Sequence, residues 1–598
     1  TQGYRGHPGG GQSDARTSEE RHPLMEERPI VVLGAGINGA ALARELVLSA
    51  VPVVVVEAED IACGATAWST RLVHGGLRYL EYGEVGLVWE SLAERDRLVR
   101  LAPHLVAPLA FYAPVRGRLG GLWSAAARLV GLEGLARRWR STRGRGAWTV
   151  GAGLTLYDLL AIGSRWPWHR TVRAGGAGLP AVDRTRFPLA CTYTDAQMLF
   201  PERFTVELLV DARRAAAEQG IAFEVFTRCR ATYATGGVLR VASGDGQAEV
   251  EVRPAAIVNA TGAWVDRTLA AVFPAAAPAA DQTPLIGGTK GSHLVLRAPP
   301  LRAALRDHGV YAEADDGRPV FVLPFGPELV LVGTTDIPFT GDPAAARADE
   351  GEIDYLLAAT SRLFPDVAPA RGDVQQHYCG VRPLPSAGAA GKTAGAITRR
   401  HILIRHPQAP LPAWSIVGGK LTTCRSLAET AAADVLAALG LPVRGSSRDR
   451  PLPGACAAAT RSAAVRATAA AAARCGFEDG AATAAAERLV DLFGARAADV
   501  FAVPAVRAGV VRGTLLPRAA VDFVVREEWA CTLDDVIERR LMLAFDPALC
   551  RGALDDVATL LADLGRLPRG DVDREAAACG ARLAARYDRR LSTDHGPS

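Results

Sequence analysis

Between Pro29 and Asp60 the chain carries two short, unbroken runs of apolar and mostly β-branched residues, Ile30–Leu33 and Val51–Val56. A glycine-bearing turn and a small-residue stretch, Ala40–Leu48, separate them. Uninterrupted apolar runs of this length belong to strands buried on both faces, as in parallel sheets. The spacing therefore predicts a strand–helix–strand unit at the start of an α/β, doubly wound sheet. Beyond Val206 a helix is expected as far as Gly220, followed by the alternating segments IAFEVFTRCRATYA and GGVLRVASGDGQAEVEVR, which read as strands closed by Gly-containing turns. From Gly287 to about Arg382 the pattern is strand-rich, with SHLVLRA, PVFVLPF and LVLVGTTD separated by turns, and predicts an antiparallel-sheet domain. From about Leu441 onward, amphipathic stretches such as AERLVDLF and LDDVATLLADLG predict an all-helical C-terminal domain.

Composition narrows this picture modestly. At 598 residues the chain is long enough for several structural units, and its 49% hydrophobic and 22% charged content is that of a globular protein. A net charge of +4 is too small an excess for an extended nucleic-acid track, and no nucleic-acid partner is expected. The ten cysteines contain no C-x-x-C pair, so they read as buried thiols of a reducing compartment, and no metal site is expected. Residues 1–28 are polar, Gly-rich and charged; they are expected to form a disordered leader, without the apolar run of a signal peptide.

Candidate chemistry begins in the first turn. Gly34-x-Gly36-x-x-Gly39 follows a strand and opens a helix, and Glu57 ends the next strand. Gly34 permits the tight turn, Gly36 lets backbone approach a pyrophosphate at the helix N-terminus, and Gly39 allows close helix packing. Asn38 lies inside the same turn, and Glu57 is placed to accept from ribose hydroxyls, which favours FAD or NAD over a 2′-phosphorylated cofactor.

Immediately downstream, Ser69-Thr70-Arg71-Leu72-Val73-His74-Gly75-Gly76-Leu77-Arg78-Tyr79-Leu80-Glu81 closely resembles the flavin-adjacent segment of FAD-dependent glycerol-3-phosphate dehydrogenases. Further similar blocks follow in order: VNATGAWVD from Val258, TKGSHLVL from Thr289, VGTTD from Val332, CGVRPLP from Cys379, GGKLTTCRSLAE from Gly418 and VREEWACTLDDVIERRLMLAF from Val525. The resemblance covers nearly everything from Pro29 onward. It implies FAD as cofactor, contacted by Gly34, Gly36, Asn38, Gly39, Glu57, Ser69, Arg71, His74, Gly75, Ala260, Gly262, Gly419, Lys420, Leu421 and Thr422. His74 would lie against the isoalloxazine. The amides after Gly418, at a helix start, would face its pyrimidine edge and favour the reduced anion.

Because flavin segments lie near both residue 34 and residue 420, the expected FAD domain, 29–435, is discontinuous, with substrate-domain insertions at about 100–185 and 287–395 and the helical domain at 436–598. The resemblance further implies a phosphorylated polyol substrate, sn-glycerol 3-phosphate, oxidised to dihydroxyacetone phosphate by hydride transfer to flavin. A phosphate must be re-paired with cations once stripped of water. Arg78, Tyr79, Arg382 and Arg399 are the expected substrate contacts, and His293, Arg382 and Lys420 the candidates for catalysis. The chain departs from the family pattern at Ala65–Trp68, at Arg71 where Lys is usual, at Phe200–Arg203 and at Arg400, which leaves room for a related phosphorylated or acidic alcohol.

Reduced flavin passes its electrons to a quinone in the dehydrogenases of this family or to oxygen in its oxidases. From Val115 to Trp148, Leu122, Trp123, Leu129, Leu132 and Leu135 are interleaved with Arg116, Arg118, Arg128, Arg137, Arg138, Arg140, Arg143 and Arg145. Such a basic amphipathic segment suits either an anionic bilayer, as a quinone acceptor requires, or packing onto the substrate domain. The expectation is thus a cytoplasmic homodimer, attached peripherally to the membrane in the first case. The competing readings are an oxidase or dehydrogenase of the wider amine- and hydroxy-acid-oxidising flavoprotein group acting on another substrate, where the clustered arginines argue against a neutral amine, and a non-catalytic flavin scaffold, against which the joint retention of HGGLRY, GVRPL and GGKLTT argues.

Overall fold

A computed structural model of the protein describes residues 28–118, 146–234, 236–244, 246, 248–278, 283–386, 401–502 and 507–592. The expected leader, the basic amphipathic segment from residue 119 to residue 145, and Arg399 and Arg400 lie outside them.

Six strands make the first sheet, in the order Ile402–Arg405, Ala413–Val417, Ala256–Asn259, Ile30–Leu33, Val53–Val56 and Phe223–Phe226. All neighbours are parallel except at the Ile402–Arg405 edge. The unbroken apolar runs have a simple cause: Ile30, Val32, Val53 and Val55 enter one core, while Val31, Leu33, Val54 and Val56 enter another on the opposite face. Helices Ile37–Leu48, Pro201–Gln219 and Cys424–Ala438 cover the first face. A meander of Cys229–Ala234, Val238–Ser243 and Glu249–Val252, with helix Val265–Val272, covers the second. The helix expected from Val206 begins five residues earlier, at Pro201, because proline suits the first helical position, where no amide donor is needed.

The second sheet runs Ile337–Pro338, Thr289–Leu296, Leu329–Gly333, Pro319–Phe325, His308–Glu313, Val106–Val115, Leu189–Met198 and Leu72–Val73, with Val374–Arg382 paired to Thr289–Leu296. It departs from a purely antiparallel sheet at one seam, where His308–Glu313 runs parallel to Val106–Val115. These two strands come from chain segments separated by a large part of the first sheet, so no hairpin dictates their direction.

Beyond Gly440, helices Ala458–Arg474, Asp479–Phe493, Ala519–Glu527, Arg551–Asp563 and Val572–Tyr587 form the helical domain. It is not a separate body: Phe493, Phe523 and Leu554 share one core with Phe111, Tyr193, Leu331 and Tyr378 of the second sheet. All ten cysteines are free thiols; Cys191, Cys379, Cys424, Cys456, Cys550 and Cys579 are buried, whereas Cys475 is exposed, contrary to the expectation of uniformly buried thiols.

Buried ion pairs reinforce the junction. Glu528 is met by Arg203 from the first-sheet side, at 2.9 Å through Oε1, and by Arg496 at 2.9 Å. Burial alone would raise the Glu528 carboxyl, but the two guanidinium groups overcome it and hold it down at about 2. Removing one partner of a buried pair leaves uncompensated charge, so Glu528→Gln is expected to cost roughly 3–5 kcal/mol at neutral pH. A carboxyl depressed in the folded state contributes stability above its unfolded value near 4.5 and loses it toward 2. Urea denaturation of both proteins across acidic pH should therefore show their difference shrinking as pH falls through that window.

Candidate active site

The turn after Ile30–Leu33 is built from backbone in close contact. Gly34 adopts a φ of +99°, and a Cβ there would lie 2.9 Å from the Ala260 carbonyl oxygen; a Cβ on Gly39 would lie 1.9 Å from the carbonyl oxygen of Gly34. Neither position tolerates a side chain. Gly36 precedes helix Ile37–Leu48 and offers no capping group, so the leading amides face outward; Thr66 Oγ1 accepts only from the Ile37 amide, at 3.0 Å. Such a helix end favours an anion. The Glu57 carboxylate accepts from the amides of Ala35 at 2.7 Å and Glu59 at 3.0 Å, and burial raises its pKa. Each oxygen keeps a second lone pair for a hydroxyl donor.

Opposite this turn, Asn38 donates to the Gly418 carbonyl at 3.3 Å, while its buried Oδ1 has no partner among the described residues. Gly419 has a φ of +107°, and a Cβ there would press against Asn38 at 2.7 Å. The Thr422 hydroxyl bridges to His74, accepting from its amide at 3.1 Å and donating to its carbonyl at 3.3 Å. Lys420 lies over the Tyr79 ring, 3.8 Å from its centroid, and donates to Ser91 at 3.3 Å. Arg78 stands beside Tyr79 in the short helix Leu77–Tyr82. The lysine thus meets the ring face of Tyr79. Ala260 follows the strand Ala256–Asn259 and receives no side-chain crowding from Gly34, Gly262 turns with a φ of +59°, and Leu421 packs at the edge of the first core.

The second sheet supplies the facing wall. His293 is buried in strand Thr289–Leu296, stacked on Tyr378 at 4.9 Å, with Nε2 bonded to the Thr70 hydroxyl at 2.9 Å. Its Nδ1 has no hydrogen-bond partner among the described residues. Gly333 makes room for the imidazole, since a Cβ there would lie 2.2 Å from the ring. Arg382 ends the adjacent strand and folds over Gly291, two residues from His293 on the same face, bonding Asp336 at 3.0 Å, the Thr334 hydroxyl at 2.9 Å and the Thr335 carbonyl at 3.1 Å. Burial, then the positive charges of Arg382 and Arg71, push the His293 pKa well below its ordinary value. The ring is therefore neutral at physiological pH. The walls meet through His74, whose ring abuts Phe321 edge-on at 6.2 Å, and Phe321 pairs with Gly333.

Most of the expected site residues thus converge. The Arg71 guanidinium is wholly buried in a bidentate pair with Glu202, at 2.6 and 2.9 Å, and donates to the carbonyls of Leu199 and Ala67. Its neighbours border the site instead: the Thr70 hydroxyl meets His293 at 2.9 Å, and the Ser69 carbonyl accepts from the Tyr378 hydroxyl at 2.9 Å. Trp68 packs against Gly380 and beneath Arg586. Thr70, Asp336 and Ser91 carry contacts to the site that no role was assigned to in the sequence, although Thr70 and Asp336 lie inside the quoted blocks. Gly75 is held from behind by Tyr157, which accepts its amide at 2.9 Å and donates to Asp195 at 2.8 Å.

Comparison with known proteins follows this geometry. Residues 29–405 match the FAD dependent oxidoreductase family, and residues 446–566 match the C-terminal domain of alpha-glycerophosphate oxidase. The chain is 34% identical to a glycerol-3-phosphate dehydrogenase of Synechocystis sp. over 86% of this chain and 88% of that protein. It is 31% identical to a D-erythritol 1-phosphate dehydrogenase of Brucella abortus, over 86% and 93% respectively. The fold is that of a Bacillus halodurans glycerol-3-phosphate dehydrogenase solved with FAD, with a TM-score of 0.66 at 20% identity, covering 94% of this chain and 95% of that one.

The buried neutral imidazole has a measurable consequence. The unfolded chain takes up a proton on this histidine below about pH 6.5 whereas the folded one does not, so stability falls as pH drops through that value. His293→Gln should remove this contribution, about 1.4 kcal/mol per pH unit below 6.5, when urea denaturation of the two proteins is compared at mildly acidic and neutral pH.

Proposed function

Because this chain belongs to the family of FAD-dependent glycerol-3-phosphate dehydrogenases, we propose that it oxidises sn-glycerol 3-phosphate at carbon 2 to dihydroxyacetone phosphate and delivers the electrons to a membrane quinone. It is a flavoprotein oxidoreductase. FAD, when bound, supplies the hydride acceptor. The residues fit that cofactor: the Gly34–Gly39 turn admits a pyrophosphate, Glu57 keeps lone pairs for ribose, and the orphaned Asn38 Oδ1 beside Gly418 awaits a donor.

The observation that carries the substrate reading is the pairing of a neutral, buried histidine with a guanidinium on one face of the second sheet. Arg382, with Arg78 and Arg399, holds the phosphate dianion; a phosphate arriving at Arg382 competes with Asp336 for one edge of the guanidinium. His293 takes the hydroxyl proton as the hydride leaves. With Nε2–H donated to Thr70, the Nδ1 lone pair is free to receive it. Lys420 stabilises the negative charge that develops as hydride and proton depart.

The quinone reading rests on the surface. Helices Val85–Leu101 and Ala147–Leu160 pack together through Val88, Leu92 and Tyr157, and their outer side exposes Trp89 at 60% and Trp148 at 64%. Ile162 and Trp168 follow, at 74% and 57%, beside exposed Arg165, Arg170 and Arg173. Tryptophan interleaved with cations suits the headgroup layer of an anionic bilayer. Among the described residues no helix is long and apolar enough to cross a membrane.

Anaerobic titration of the flavin-loaded protein with sn-glycerol 3-phosphate should bleach the visible flavin absorbance. Bleaching by D-erythritol 1-phosphate alone would transfer the reading to the substrate named for the Brucella relative. Arg382→Met should raise KM roughly 10- to 100-fold, the loss of a charged hydrogen-bonded contact. In a separate assay, sedimentation with phosphatidylglycerol vesicles should retain the wild-type protein and release Trp89→Ala/Trp148→Ala. Equal sedimentation of both would remove this surface from the proposal.

A further inference from the structure

The helical domain touches the segment 57–71 at three points, and each lies back to back with a cofactor or active-site contact. Asp60, three residues after Glu57, is buried and receives Arg540 through both oxygens, at 2.7 and 2.9 Å, together with Arg539. Both arginines end the π-helical turn Asp535–Arg540, a widened turn that brings consecutive guanidinium groups to one carboxylate. The Arg228 side chain reaches Asp535 at 2.6 Å while its amide bonds the Glu59 carbonyl at 2.8 Å, and the next amide, of Cys229, bonds Glu57 at 2.9 Å. Farther along, Arg586 lies 4.6 Å over the Trp68 ring, and Phe545 presents its ring 4.7 Å from the Arg71 guanidinium.

On its other side the same segment serves the cofactor turn. Glu57 binds the Ala35 amide, the Ala62 amide binds the Ala35 carbonyl, Thr66 binds the Ile37 amide at the helix start, and Thr70 binds His293. The segment is thus held between two bodies, with short bonds to each.

We propose that the helical C-terminal domain is a positioning element for the cofactor: through Asp60, Trp68 and Arg71 it presses the segment 57–71 onto the dinucleotide turn, so that docking of this domain and retention of FAD are one coupled equilibrium. The inference rests on the FAD reading above. Coupling is reciprocal: what loosens the domain weakens FAD binding, and FAD tightens the domain. Asp60, Arg540, Phe545 and Arg586 are positioning residues that touch neither substrate nor flavin.

The test uses the full-length protein stripped of flavin and titrated with FAD, following quenching of flavin fluorescence. Asp60→Asn/Arg540→Met removes the bidentate ion pair and should raise the FAD dissociation constant at least about tenfold. Phe545→Leu and Arg586→Gln each remove one cation–ring contact without stranding a buried carboxylate, and should each raise it about two- to tenfold. These two decide the matter if the double variant does not fold. Saturating FAD should also slow proteolysis between residues 440 and 458 in the wild type, and less so in the variants. FAD dissociation constants within twofold of wild type in folded variants, with only melting temperature lowered, would overturn the inference. A wild-type protein that binds no FAD would instead overturn the cofactor reading on which it rests.

Discussion

Close backbone approach at the first turn is the constraint on which the site depends. Gly34, Gly39 and Ala260 meet with so little room that a single added carbon at Gly39 would sit inside the Gly34 carbonyl. This contact sets the height of helix Ile37–Leu48 above the sheet, and with it where the uncapped helix end points. It also fixes the crossing of chain segments near residues 34 and 260, which lets strands from the beginning, middle and end of the first sheet lie side by side. The second sheet is joined to it by the segment that follows Glu57, which bonds back to the turn through Glu57, Ala62 and Thr66 before entering strand Leu72–Val73.

A second constraint is the cost of burying charge. Arg71, Arg203 and Arg540 are fully enclosed, and desolvation of a guanidinium or carboxylate costs several kcal/mol unless each is paired and hydrogen-bonded. The protein satisfies this with bidentate partners, Glu202 for Arg71, Glu528 for Arg203 and Asp60 for Arg540. Such pairs add little net stability compared with apolar packing, but the geometry they demand is narrow. They therefore act mainly as registration marks between the sheets and the helical domain. Arg382 is of another kind: it is partly exposed and so is its carboxylate partner, Asp336.

What the sequence made legible follows the same division. The strand–turn–helix–strand unit could be read because its constraints are local: β-branched runs buried on both faces, glycines where Cβ cannot fit, an acid ending the second strand. His293, Arg382, His74 and Lys420 could be found because they sit in contiguous blocks that resemble one family. Pairings between distant positions could not be read. Arg71 stood out as a hint of altered substrate and the Phe200–Arg203 segment as a separate departure; in the fold the two meet, since the partner of Arg71 is Glu202. Trp68 had the same appearance and proves to be a platform for Arg586, a contact across more than five hundred residues of chain. The parallel seam between His308–Glu313 and Val106–Val115 was hidden for the same reason, because alternation within a strand says nothing of its neighbour's direction.

The arrangement of charge around His293 bears on why a neutral imidazole serves this chemistry. Burial, and then the charges of Arg382 and Arg71, disfavour a proton on the ring. On the proposed function, a substrate phosphate drawn to Arg382 would offset that residue's part of the effect and make the ring more basic with the alcohol in place. On that reading, proton acceptance by His293 would be tied to substrate binding through Arg382. A lysine in place of Arg382 would keep the charge but not the planar fork that spans Asp336, Thr334 and Thr335, and so would lose the fixed distance to the ring on which this coupling depends.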